Sequence, residues 1–157
     1  MIYLEKDDLI TQAFERLIDE SSADQNQYTE PTSPEETPEL IANRVLDKIE
    51  LQNIELVKSY IGSRYDVALI FDETEPIRNQ LLIRILTTLI LFDVFRRNAA
   101  RKVPADYKEN YDKALETLEK IATGRIPVDG LPKPTDESGN PISNSIWGNN
   151  SNKDFYI

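Results

Sequence analysis

The stretch EPIRNQLLIRILTTLILFDVFRRN, from Glu75 to Asn98, decides the fold. Apolar residues fall on almost every side of it: Ile77, Leu81, Leu82, Ile83, Ile85, Leu86, Leu89, Ile90, Leu91, Phe92, Val94 and Phe95. Helical spacing suits this pattern better than strand alternation, and the run exceeds ordinary strand length. A helix that is hydrophobic nearly all round is either buried or membrane-spanning. Arg84 and Asp93 decide between the two. They leave only Ile85 to Phe92 uncharged, far short of the ~20 apolar residues a bilayer requires. The stretch therefore predicts a central core helix over 76–98, with Pro76 in its first turn. About a dozen buried side chains at ~1.5–3 kcal/mol each make it the main source of stability.

Upstream, Leu9, Ile10, Ala13, Phe14, Leu17 and Ile18 form one apolar stripe and predict a first helix over 6–19. Asp7 and Asp8 sit in its first turn, where the helix dipole favours negative charge. Residues 20–37, ESSADQNQYTEPTSPEET, are acidic and poor in apolar groups, a long surface loop. Its end reads as a helix start, with Thr37 as N-cap and Pro38 in the first helical position. Leu46, Ile49, Ile54, Val57, Tyr60 and Ile61 then carry a second helix over 38–61. Gly62 suits a left-handed C-cap. In the connector 63–73, Tyr65, Val67, Leu69 and Phe71 alternate, which reads as a short strand or an extended segment.

Downstream, Arg96, Arg97, Arg101 and Lys102 cluster at the carboxyl end of the core helix. They read as dipole-matched, solvated cations, with a phosphate-binding or inter-subunit charge patch as the functional alternative. Asp106 with Glu109 three residues on looks like a capping box. Tyr107, Tyr111, Ala114, Leu115, Leu118, Ile121 and Ala122 form the stripe of a fourth helix over 106–123, stopped by Gly124. The expected architecture is all-α: a four-helix bundle around a long buried helix, over 1–125, followed by an extended tail over 126–157. That tail is rich in proline, glycine and asparagine, yet carries two apolar clusters, Ile142–Ile146–Trp147 and Phe155–Tyr156–Ile157. Ordering it costs ~1–2 kcal/mol per residue for the backbone alone, and its apolar groups are too widely spaced to offset that locally. A tail folded back on its own domain is the plain reading. A tether with aromatic anchors docking on another chain is the functional one.

Composition narrows the function classes. Cysteine and histidine are both absent from the 157 residues. Disulfides, the usual zinc sites and Ser-His or Cys-His nucleophile pairs are excluded. No amino-terminal apolar run resembles a signal peptide, so a soluble, cytoplasmically made protein is expected. The formal net charge is −10, unevenly spread. Residues 1–75 hold 6 basic and 18 acidic side chains, residues 76–125 hold 10 and 6, and the remainder 2 and 4. Such a split is ordinary solvation or the basis of head-to-tail pairing between identical subunits in a ring.

The order of motifs carries a resemblance. YLEKDDL opens the chain, YIGSRYDV (Tyr60–Val67) ends the second helix, and the core helix ends in basic residues. VPADYKENYDKALETLEKIATGRIPV (Val103–Val128) then follows. Over roughly residues 2–128 this resembles the Mu-like family of phage head–tail connector proteins, also called neck or adaptor proteins. The acidic loop 20–37 is longer than the family pattern, and the tail after Val128 falls outside it.

The resemblance implies a small helical bundle that assembles as a ring, usually twelve-fold, beneath the portal protein. Such rings extend the channel through which genomic DNA passes, without binding it specifically, and join the capsid to the next neck or tail component. By position, Gly62, Ser63, Arg64 and Tyr65 would set the turn after the second helix, and Gly124, Arg125 and Pro127 would begin the tail. No catalytic, cofactor or metal role is implied, and the expected location is the virion neck, away from any membrane. An acidic excess also suits a lumen past which DNA must slide.

Two other classes compete. A small helical nucleic-acid-binding or regulatory phage protein would draw on the Arg96–Lys102 cluster, against the acidic total and the lack of aromatic–basic interleaving. A carboxylate-only enzyme such as a metal-dependent nuclease would need Asp7–Asp8 or Glu35–Glu36. Helix-dipole and solvation effects account for those pairs.

Overall fold

In a computed structural model the structure describes residues 3–13, 37–97 and 103–136. Five helices cover most of these residues, and none of them forms a strand. They are α1 (Lys6–Ile10), α2 (Pro38–Ile61), α3 (Val67–Ile70), α4 (Gln80–Arg97) and α5 (Ala105–Ala122). The long helices α2, α4 and α5 pack against one another, and α1 lies against α4. The described residues thus form three long helices flanked by two short ones. The fold is all-α as expected, with three rather than four long helices among the described residues.

α4 is the buried centre. Leu82, Ile83, Ile85, Leu86, Thr87, Leu89, Ile90, Leu91, Val94 and Phe95 are all buried, around most of its circumference. α2 supplies Val45, Leu46, Ile49, Ile54, Val57 and Ile61 to the same core, and α5 supplies Ala114, Leu118 and Ile121. Rings finish the α4–α5 seam. Phe92 stacks on Tyr111 with centroids 4.3 Å apart, and Phe95 meets the edge of Tyr107 at 4.7 Å. Thr37 caps α2 as expected, its hydroxyl accepting the Leu40 amide at 3.4 Å.

Four element boundaries differ from the sequence reading, each for a local reason. α1 closes at Ile10 instead of continuing to 19, since Thr11–Ala13 form a turn; residues 14–19 lie outside the described residues. α4 starts at Gln80, four residues after Pro76, because Asn79 is its cap: the Asn79 carboxamide accepts the Leu81 amide at 3.0 Å. The connector is neither strand nor extended. Asp66 accepts the Ala68 and Leu69 amides at 3.1 and 3.2 Å and nucleates the single turn α3. The Asp106–Glu109 capping box is absent. α5 begins at Ala105 after Pro104, and the Glu109 carboxylate is taken by Lys113 at 2.6 Å. That bond holds Glu109 below its ordinary carboxylate pKa.

The amino-terminal segment straps α2 to α4. Glu50 of α2 is fully buried, and its Oε1 accepts the backbone amides of Tyr3 and Leu4 at 3.0 and 2.7 Å. The Tyr3 hydroxyl donates to the Ile77 carbonyl at 2.9 Å and accepts the Asn79 amide at 3.0 Å. Burial, the larger effect, raises the Tyr3 pKa above 10.0 against the lowering influence of that amide. Arg78 closes the strap from outside, pairing with Glu5 and Asp8 at 2.7 and 2.8 Å.

Replacing the fully buried Leu86 by Asp should unfold the domain, because an unpaired charge there has a severe desolvation cost. Circular dichroism should show loss of helix at room temperature. An unchanged melting curve would contradict the placement of α4 at the centre.

Candidate functional site

The two glycine turns that carry the resemblance meet in space. α2 ends with Gly62 donating to the Lys58 carbonyl at 2.9 Å, and the Arg64 and Tyr65 amides both return to Ile61 at 2.9 and 3.0 Å. Gly62 is not a left-handed cap: its φ is −62° and ψ −18°. Glycine is required for a different reason, since a Cβ there would lie 2.8 Å from the Lys58 carbonyl oxygen.

α5 ends in the left-handed manner instead. Gly124, at φ +77°, donates to Ile121 at 3.0 Å, and Arg125 donates to Lys120 at 2.9 Å. This pair of bonds is a Schellman closure, which satisfies the last carbonyls of the helix. Where a Gly124 side chain would stand, the Arg64 guanidinium lies instead.

The chain beyond is then tied back beside Arg64. The buried Tyr65 hydroxyl accepts the Val128 amide at 2.9 Å, and the Asp66 amide donates to the Pro132 carbonyl at 2.9 Å. Val128 and Leu131 are consequently buried and belong to the core. The helix ends at Gly124, but the folded unit does not: residues through Leu131, assigned to the tail by the sequence, complete the bundle. Gly62, Ser63, Arg64 and Tyr65 thus share one corner of the fold with Gly124, Arg125 and Pro127. The contacts that join the two turns, Arg64 over Gly124, Tyr65 on Val128 and Asp66 on Pro132, are those of a structural lock.

The other candidate residues separate. Arg96 and Arg97 are exposed at the end of α4. Arg96 pairs with Asp93 at 3.4 Å and stands 5.9 Å over the Phe92 ring, so it is engaged within its own chain. Arg101 and Lys102 lie outside the described residues, as do Ile142, Ile146, Trp147, Phe155, Tyr156 and Ile157, and all of the acidic loop 20–37 except Thr37. Among the described residues no group of three or more carboxylates is placed to hold a metal ion, and no helix is long and apolar enough to cross a membrane.

Two features escaped the sequence reading. Buried polar groups tie α2 inward: besides Glu50, Asn53 donates to Asp93 of α4 at 3.0 Å. A carboxylate and a carboxamide inside the stripe Leu46–Ile49–Ile54–Val57 were the available signal. The second feature is a groove of about 940 Å³ bounded by α1, α4 and α5. Gln80, Arg84 and Thr88 of α4 face it at i, i+4 and i+8, with Asn110, Lys113 and Thr117 of α5 opposite.

Compared with known proteins, the chain matches the family described as Bacteriophage Mu, Gp36 over residues 3–144. The protein belongs to this family, and is thus an all-α protein of Mu-like phages. The match runs well past Val128, so the first part of the tail is part of the family pattern and not a departure from it. No curated protein and no solved structure matches the chain significantly.

Gly124→Ala should cost ~1–2 kcal/mol from the left-handed backbone alone, and more from displacing Arg64. Adding Arg64→Ala should restore only the second part, as read by urea denaturation. Full recovery in the double variant would mean that the turn carries no backbone strain.

Proposed function

We propose that this protein is a structural, non-catalytic head–tail connector of the virion. Twelve copies would close into a ring under the portal, lengthen the DNA channel and present a platform for the next neck or tail component. Membership of the Mu Gp36 family carries this reading, together with the resemblance of the two glycine turns to those of phage neck proteins. The locked corner supports it. Arg64 over Gly124, and Tyr65 on Val128, fix the direction in which the chain leaves the bundle. A rigid origin lowers the ordering cost of docking through a tail.

The acidic total agrees with a channel wall that does not retain DNA. The nucleic-acid-binding alternative loses support from Arg96, which is held by Asp93 and Phe92.

Native mass spectrometry and negative-stain imaging of the chain mixed with the portal of the same phage should show a closed ring on the portal. A chain that stays monomeric with the portal present would overturn the proposal, as would tight, salt-dependent duplex binding. If the acidic part of one copy lies against the basic part of the next, ring formation should weaken as salt rises, because exposed pairs are screened within ~8–10 Å. Salt-independent assembly would assign the contact to uncharged surface.

A further inference from the structure

The groove between α1, α4 and α5 sits on the face of the core helix that α2 does not cover. None of its lining residues comes from α2 or α3. Its floor is apolar, with Leu81, Ile85 and Ala114. Its walls carry neutral hydrogen-bonding side chains, Thr11 and Gln12 in the turn after α1, Gln80 and Thr88 of α4, Asn110 and Thr117 of α5, together with Asp8 and Lys113, whose charges are already paired with Arg78 and Glu109. The Arg84 guanidinium, exposed on the α4 wall, has no ion-pair partner among the described residues. An apolar floor between rows of amides and hydroxyls suits an extended, uncharged peptide with spaced apolar side chains.

The tail has that chemistry. Residues 137–157 hold five asparagines and four serines, only three charged side chains, and apolar residues at 142, 146, 147 and 155–157. Direction then chooses between a copy's own groove and another's. Asp129 lies beside the start of α4, where its carbonyl accepts from the Asn79 side chain at 3.2 Å. Three residues later, Pro132 is bonded to Asp66, between α2 and α3. The chain is therefore heading away from its own groove as it leaves the bundle. The 21 residues beyond Asp136 reach ~70 Å when extended. α4, with 18 residues, is only ~27 Å long. Donor segment and receiving groove on different faces is the arrangement that propagates head-to-tail and closes into a ring.

We propose that the α1–α4–α5 groove is the docking site for residues 137–157 of the neighbouring copy. This rests on the ring assembly proposed above, and names the contact that holds it.

The absence of native cysteine allows a clean test. One batch of full-length chain carries Thr117→Cys in the groove wall and a second carries Asn144→Cys in the tail. The two are mixed, assembled and mildly oxidised. A disulfide-linked dimer of one chain of each kind is expected, enriched roughly a hundredfold over the same chains kept dilute and unassembled, since a held contact raises effective concentration. Rings that form without this cross-link would overturn the inference and leave the connector reading standing. A cross-link confined within single chains carrying both substitutions would overturn it too, placing the tail in its own groove. Chains that never assemble, by native mass, would remove the ring reading and this inference with it.

Discussion

A helix that is apolar on nearly every side must be covered on nearly every side, and the rest of this structure answers that requirement. Ten buried positions on α4 leave only a narrow polar strip, Gln80, Arg84 and Thr88, toward the groove. α2 and α5 take two flanks, and α1 covers part of a third. The packing is completed by residues outside the helices: Tyr3 and Leu4 just before α1, Val128 and Leu131 after α5. Each of these outlying segments is held by a directed hydrogen bond to a buried side chain, Glu50 for the first and Tyr65 for the second. Hydrophobic burial supplies the magnitude of stabilisation, and these few polar bonds supply its register.

How far this was legible in the sequence follows from the range of each interaction. α2 and α5 were readable from their stripes, because i, i+3 and i+4 spacing is a local property. The start of α4 was misread. Pro76 is a good first-turn residue, but Ile77 and Asn79 are held by the hydroxyl of Tyr3, more than seventy residues away. The capping box at Asp106 failed for a nearer reason: Glu109 has a lysine four residues on, and an i, i+4 pair competes for the same carboxylate. α3 was the avoidable miss, since Asp66 before an apolar run is an ordinary N-cap signal. It was masked by an alternation of four residues, too short to separate strand from turn.

The functional corner was legible in part. Both glycine turns stood out, but as separate motifs more than sixty residues apart. Nothing local says that Arg64 rests on Gly124, or that two glycines are needed for different reasons. Gly62 avoids its own helix carbonyl, whereas Gly124 adopts a left-handed backbone and makes room for a guanidinium. The groove was wholly illegible. Gln80, Arg84 and Thr88 look like interruptions of an apolar run until α5 places a matching polar row opposite them.

The charge split weakens as a driving force once internal pairs are considered. Within the basic segment 76–125, Arg78, Arg96, Lys113 and Lys120 already have carboxylate partners in the same chain. Exposed pairs of this kind are worth ~0–1 kcal/mol each, so re-pairing the same cations across an interface brings little gain. A contact in which apolar tail side chains leave water yields more, at ~25 cal/mol per Å² of apolar surface. Part of that gain must offset the ordering of the tail, which is why the fixed departure at Tyr65 and Asp66 matters. A chain already pinned through residue 132 has fewer free residues to order, and its direction is set before any partner arrives. On this accounting, specificity in assembly comes from the geometry of the corner and the shape of the groove, with charge as a secondary influence.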